Sequence, residues 1–108
     1  MREARVVLVT VPDGEVAARL CRALLEERLV ACGNVVPGVT SIYRWEGETK
    51  EETEQLLILK TGDDVLPRLL RRVAELHPYD VPEILALPVV AGHPEYLDWV
   101  GRSTEAES

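Results

Sequence analysis

Residues 31–61, ACGNVVPGVTSIYRWEGETKEETEQLLILKT, occupy over a quarter of the 108-residue chain and predict two long strands joined by one turn. The first arm is rich in valine, isoleucine, threonine and aromatic residues, which suit a pleated, half-buried surface. From residue 40 to residue 45 the side chains alternate, which places Ser41, Tyr43 and Trp45 on one face. The stretch therefore predicts a long β-hairpin.

The two arms of this hairpin are longer than one small domain can cover. Strands usually run about 5–6 residues, and the first arm is more than twice that length even if Pro37-Gly38 interrupts it with a bulge. Gly47 supplies the backbone freedom for the turn. An overhanging ribbon leaves unpaired backbone and exposes Tyr43 and Trp45. We expect these two aromatic residues to lie in an interface between copies of the chain.

Length and composition indicate one acidic domain. A chain of 108 residues has room for one core, and residues 1–102 are expected to form it, with residues 103–108 as a polar, disordered tail. The net charge of −7 disfavours nucleic acid and anionic membranes as partners. No apolar run approaches the length of a membrane-spanning helix. Cys21 and Cys32 lack the spacing of a zinc or thioredoxin motif, and a reducing cytoplasm is the predicted location.

The remaining segments predict two strands and three helices. Residues 6–11 form a buried strand, and Asp13 is expected to cap the next helix, whose apolar stripe is Val16, Ala17, Leu20, Cys21, Leu24 and Leu25. Asp64 is expected to cap a second helix with Pro67 at its third position. Residues 83–90 form the last strand, and a short helix starts at Pro94 and stops at Gly101.

The resulting order β-α-β-β-α-β predicts an α+β protein of the ferredoxin-like class. Right-handed crossovers place the first strand between the third and the fourth, with both long helices on one face of an antiparallel sheet. The other face of the sheet is left bare and partly apolar. This again favours assembly with further subunits.

Several long motifs resemble the CutA family of divalent-cation-tolerance proteins. They are ACGNVVPGVTSIYRWEGE, LLILKT, HPYDVPEI and YLDW, and the match runs from about Val6 to Trp99. The resemblance implies a ferredoxin-like subunit in a tight homotrimer, similar in plan to the PII signalling proteins. It also implies a link to copper and metal-ion tolerance, with no established enzymatic reaction. The chain departs from the family pattern at Gly33, where valine is frequent, and at Asp80, where glutamate is common.

The copper ligands proposed for some family members transfer poorly to this chain. They are a cysteine late in the first strand and a His-His pair before the Pro-Tyr. Here these positions hold Val9, Leu76 and His77, so one ligand of the three remains. His77 is therefore the candidate metal ligand, and Cu(II) or another divalent cation is expected to bind weakly.

Topology places one group of functional residues at the end of the sheet where the first strand finishes. His77 and a candidate ligand cleft of Asp13, Tyr79, Asp80 and Glu83 lie at this end, while Cys32 lies at the opposite end. An imidazole with carboxylates suits a borderline divalent ion. The alternative is structural: His77 and Tyr79 hydrogen-bond the loop, and Glu83 begins a strand.

Three classes of function fit the sequence. The first is a trimeric protein that binds a metal ion or small ligand near subunit junctions. The second is a PII-like signalling or structural module for a protein partner or small effector, without catalysis. The third is an acylphosphatase-like enzyme, which the loop after the first strand disfavours, because Pro12 has no backbone donor and Asp13 repels an anion. No nucleophile with an adjacent base is evident.

Overall fold

The computed structural model describes residues 3–104, and within them four strands form one antiparallel sheet with three helices beside it. The elements are β1 (Ala4–Val11), α1 (Gly14–Glu26), β2 (Cys32–Trp45), β3 (Glu48–Gly62), α2 (Leu66–Leu76), β4 (Ile84–Pro88) and α3 (Pro94–Ser103). The strand order is β2-β3-β1-β4. This is the predicted ferredoxin-like α+β arrangement, and the prediction is confirmed.

Alternating residues of the two central strands bury one face of the sheet under the helices. Val7 lies opposite Leu59 and Val9 opposite Leu57, and all four side chains are fully buried. They pack in one core with buried residues of α1 and α2. Burial of a leucine or valine side chain contributes about 1.5–3 kcal/mol relative to leaving it exposed. This shared core fixes both helices on the same face.

Helix α1 begins as predicted, but its buried stripe is narrower. The side chain of Asp13 accepts a hydrogen bond from the backbone N–H of Val16 at 2.9 Å, which caps the helix. The buried residues are Ala17, Leu20, Cys21 and Leu24. Leu25 was expected in the stripe, yet it is 42% exposed, because it lies at the edge of the helix face that meets the sheet.

The start of helix α2 differs from the prediction. Asp64 does not cap it; the N-cap is Val65, whose side chain cannot accept a hydrogen bond, and the helix begins at Leu66. A turn comes first, in which the Val65 N–H donates to the Gly62 carbonyl at 3.3 Å. Val65 is buried in the core, so packing rather than capping sets the start. Pro67 is therefore the second helical residue, a position where proline costs no intrahelical hydrogen bond.

The bounds of β4 and α3 also differ from those predicted from the sequence. Strand β4 is shorter than residues 83–90 and ends at Pro88, which lies on an edge strand as expected. Helix α3 runs through Gly101 to Ser103, because Gly101 does not adopt the left-handed conformation that ends a helix. Thr104 is buried, with its hydroxyl donating to the Val100 carbonyl. The expected domain boundary at residue 102 thus falls inside α3, and residues 105–108 of the expected tail lie outside the described residues.

The hairpin has the predicted bulge and turn. The β2–β3 register shifts between Val36 and Val39, where Gly38 has a φ of 70°. At the tip, Glu46 and Gly47 both have positive φ, as a two-residue type I′ turn requires. Strand β1 pairs with β3 only as far as Gln55. Residues 39–54, here called the ribbon, therefore extend beyond the sheet and contribute to a longest dimension of 45 Å.

The face of the sheet opposite α1 and α2 is apolar and largely exposed in the single subunit. Leu8 lies opposite Ile58 of β3 and Leu85 of β4, and the alternation points all three away from the helices. Leu85 and Leu87 are 54% and 45% exposed. We call this surface the open face; it is the bare face that the sequence predicts. No helix within residues 3–104 is long and apolar enough to cross a membrane.

Candidate functional site

The candidate site lies where α2 ends beside the carboxyl end of β1. His77 follows the last residue of α2 and is 7% exposed. Its Nε2 lies 2.8 Å from the carbonyl oxygen of Thr10, which can only accept, so Nε2 carries a proton and donates. The backbone N–H of Tyr79 donates to Nδ1 at 3.1 Å. Both ring nitrogens of His77 are thus engaged in hydrogen bonds.

Tyr79 connects this histidine to the root of the ribbon. Its ring lies 4.8 Å from that of His77. Its hydroxyl donates to Oε2 of Glu54 at 2.9 Å. Burial and, next, the bond to Glu54 raise the pKa of Tyr79 to about 12. Glu54 is 6% exposed, so the structure holds a carboxylate that is nearly buried at the point where β3 leaves the sheet.

A second phenol–carboxylate pair lies within the ribbon itself. The Tyr43 hydroxyl donates to Oε1 of Glu52 at 2.9 Å, and this bond raises the pKa of Tyr43. Glu52 and Glu54 are two residues apart on β3 and share a face. The negative charges of both carboxylates add to the rise in the pKa of Tyr79. The two pairs therefore form one continuous polar surface at the ribbon root.

The structure brings together only part of the cleft predicted from the sequence. His77 and Tyr79 are in contact, whereas Asp80 and Glu83 are exposed in the loop and Asp13 serves as the α1 cap. Sequence reasoning missed Glu54, the residue that Tyr79 binds. The available signal was weak: Glu54 is one of several acidic residues in the return arm, and only strand pairing shows that it lies next to the last residue covered by β1.

These residues do not form a metal centre within one subunit. Among residues 3–104, no group of three or more histidine, cysteine, aspartate or glutamate side chains is placed to hold an ion. A metal ion at His77 would have to displace the bond to Thr10 or the bond from Tyr79. The family-implied ion therefore does not fit the single subunit as it stands.

Cys32 lies at the other end of the sheet, as the topology predicts, and the sulfur of Cys21 lies beside Gly33 near the same end. Cys32 is paired with Lys60, and its sulfur lies 3.4 Å from the Tyr96 hydroxyl. That contact and, next, burial raise the pKa of Tyr96 to about 12. Cys21 is buried in the core, where burial raises the pKa of its thiol. Neither sulfur lies near His77.

The predicted interface residues of the ribbon are exposed in the single subunit. Tyr43 is 38% exposed and Trp45 is 47% exposed. Ile42, on the other face of the ribbon, is 66% exposed. Large apolar side chains on both faces of a projecting ribbon are typical of a surface that another molecule covers.

Alkaline titration tests the environments of the tyrosines. The neutral phenols of Tyr79 and Tyr96 are favoured in the folded protein, since their pKa values are raised from 10.0 to about 12. The stability they contribute is complete below pH 10 and is lost as the pH rises through about 12. We expect ultraviolet titration of tyrosinate to show two late steps in the wild type and one in Tyr79→Phe. Titration of all tyrosines together near pH 10 would contradict the described contacts.

Comparison with known proteins gives one consistent result. A family model described as CutA1 divalent ion tolerance protein matches residues 5–103. The divalent-cation tolerance protein CutA of Thermus thermophilus is 58% identical over 99 residues, which cover 92% of this chain and 96% of that protein. A solved structure of the divalent cation tolerance protein from Thermus thermophilus superposes with a TM-score of 0.92 at 56% identity, covering 94% of this chain and 99% of that one.

A plant relative is longer. The chloroplastic protein CutA of Arabidopsis thaliana is 46% identical over 99 residues, covering 92% of this chain. The chain spans 54% of the length of that relative.

Proposed function

Because the chain belongs to the CutA1 divalent ion tolerance family, we propose that it acts in divalent-cation tolerance as a homotrimer. In this proposal it binds a divalent cation such as Cu(II), or a small ligand, weakly near the subunit junctions. The observation that carries the proposal is the ribbon, which projects beyond the sheet with apolar side chains on both faces. No catalytic reaction is part of the proposal.

Two exposed apolar surfaces support assembly. Leu85 and Leu87 lie on the open face and Tyr43 and Trp45 on the ribbon, and each of the four is at least 38% exposed. Stable interfaces bury about 800 Å² per partner and are enriched in aromatic residues. A neighbouring subunit would remove both surfaces from water. The number of subunits follows the family resemblance.

The loop of residues 77–83 carries the donors that the proposal places at a junction between subunits. His77 supplies one imidazole, and the exposed Asp80 and Glu83 supply oxygen donors from the same loop. A second subunit would supply the rest. Divalent ions of intermediate softness accept such mixed ligands. We expect modest affinity, since His77 must first give up one of its two hydrogen bonds.

The proposal includes a cytoplasmic location. Cys21 and Cys32 are both free thiols. Free thiols suit a reducing compartment, although they do not define one.

Calorimetric titration with Cu(II) tests the ion site. We expect weak binding to the wild type and a loss of about tenfold or more in His77→Ala, because an imidazole ligand is removed. Cys32→Ser is the matched control: it removes a stronger potential ligand at the far end of the sheet, and its affinity should equal that of the wild type. Unchanged affinity in His77→Ala, or a large loss in Cys32→Ser, would show that the ion binds elsewhere.

A further inference from the structure

The ribbon is connected to the body of the subunit through very few side chains. Residues 48–54 of β3 have no strand partner on the side where residues 55–62 pair with β1. Among the side-chain hydrogen bonds and ion pairs described for residues 3–104, those of the ribbon are Tyr43 with Glu52, Lys50 with Glu48, and Tyr79 with Glu54. The first two are internal to the ribbon. The third joins it to the loop of residues 77–83.

That third bond is the outer end of a series of contacts that reaches the sheet. Glu54 accepts from the Tyr79 hydroxyl, and the Tyr79 backbone donates to His77. His77 in turn donates to the carbonyl of Thr10, at the end of β1. The contacts cross from the ribbon to the loop and from the loop to the central strand. The register shift at residues 36–39 places a β-bulge, which bends the strand locally, on the β2 side of the ribbon at the same level.

We propose that Tyr79 is a positioning residue that latches the ribbon root to the body, and that the latch couples the ribbon to the loop of residues 77–83. With the latch closed, the loop sets the angle at which the ribbon leaves the sheet. With the latch open, the ribbon bends at the bulge and the loop loses its outer support. The latch lies within one subunit, and its Tyr79–Glu54 hydrogen bond forms without an ion.

The burial of Glu54 makes this bond more than a local contact. A carboxylate that is 6% exposed depends on its donor, and leaving it buried without one is costly. Loss of the Tyr79 hydroxyl must therefore be followed by hydration of Glu54. Water reaches this carboxylate more readily if the ribbon root moves away from the loop. When the Tyr79–Glu54 hydrogen bond is lost, we therefore expect the ribbon root to move away from the loop of residues 77–83.

Hydrogen–deuterium exchange on the assembled protein tests the latch. Tyr79→Phe removes one hydroxyl and keeps the ring against His77. Because the lost hydrogen bond is to a charged group, amides of residues 53–55 and of residues 77–83 should exchange about tenfold faster or more. Tyr96→Phe is the matched control, because it removes a phenol hydroxyl that contacts Cys32 at the opposite end of the sheet. It should leave exchange in residues 77–83 unchanged.

A conservative variant separates positioning from general loss of stability. In Glu54→Gln the amide oxygen still accepts from the Tyr79 hydroxyl, so exchange should stay near the wild-type rate. In the double variant Tyr79→Phe/Glu54→Gln the carboxylate is absent, and the rise in exchange should be smaller than in Tyr79→Phe alone. Unchanged exchange at residues 53–55 in Tyr79→Phe, or an equal rise in Tyr96→Phe, would overturn the latch. Neither result bears on Cu(II) binding, which the calorimetric experiment measures separately.

Discussion

Leu85→Glu is expected to convert the assembled protein into folded monomers. Leu85 lies on edge strand β4 in the open face and is 54% exposed in the single subunit, so a glutamate there costs the isolated fold little. In the proposed trimer the same side chain is covered by a neighbour. A charge left unpaired in a protein interface costs about 2–5 kcal/mol. Size-exclusion chromatography should show the smaller species, with circular dichroism unchanged.

Leu25→Glu is the matched control for this variant. It makes the same substitution at a leucine that is 42% exposed but lies on α1, on the helical side of the sheet. The control should assemble like the wild type. Assembly of Leu85→Glu at the wild-type size would show that the open face is not the interface, and dissociation of both variants would show that added charge alone is responsible.

Trp45→Ala is expected to lower the melting temperature far more than Trp99→Ala. The two tryptophans are 47% and 40% exposed in the single subunit, so exposure alone predicts similar losses. Trp45 lies at the end of the ribbon, where a neighbouring subunit would cover it, whereas Trp99 packs against Tyr96 of its own helix. Aromatic anchors in interfaces contribute about 2 kcal/mol or more when truncated.

The melting temperatures are to be measured at several protein concentrations. Because folding and assembly are coupled in a trimer, the wild-type melting temperature should rise with concentration. The melting temperature of Trp45→Ala should lie below that of the wild type at every concentration, because its subunits associate less tightly. Equal losses from the two tryptophan variants would count against the ribbon as the interface.

The parts of the fold that the sequence predicts best are those set by local periodicity. Alternation along residues 40–45 and the glycine at residue 47 predict the hairpin and its turn, because side-chain direction and turn conformation depend on neighbouring residues alone. The cap at Asp13 is local in the same way. These predictions hold in the structure.

The predictions that failed depend on tertiary packing. Asp64 has the right chemistry for a helix cap, but burial of Val65 moves the start of α2 past it. Gly101 has the right chemistry for a helix stop, but Val100 and Thr104 are buried on either side of it and the helix continues. Local preferences of about 1 kcal/mol are readily outweighed by the burial of an apolar side chain.

The sequence predicts where the candidate site lies in the fold, but it predicts only some of the residues that form it. Right-handed crossovers place His77 near Thr10, and the two groups do form a hydrogen bond. The partner of Tyr79 was not predictable, since the acidic return arm offers several glutamates and strand register selects Glu54. Which residues of a neighbouring subunit would complete the proposed site depends on contacts between chains, and the side-chain periodicity of one sequence does not report those contacts.

Sedimentation equilibrium of the wild-type protein at micromolar concentration tests the central claim most directly. The ribbon and the open face favour assembly, and the family resemblance implies a mass of about three times the 12.0 kDa of one chain. A single species of that mass would support the trimer and the junctions at which we place ion binding. A monodisperse species at the mass of one chain would contradict both.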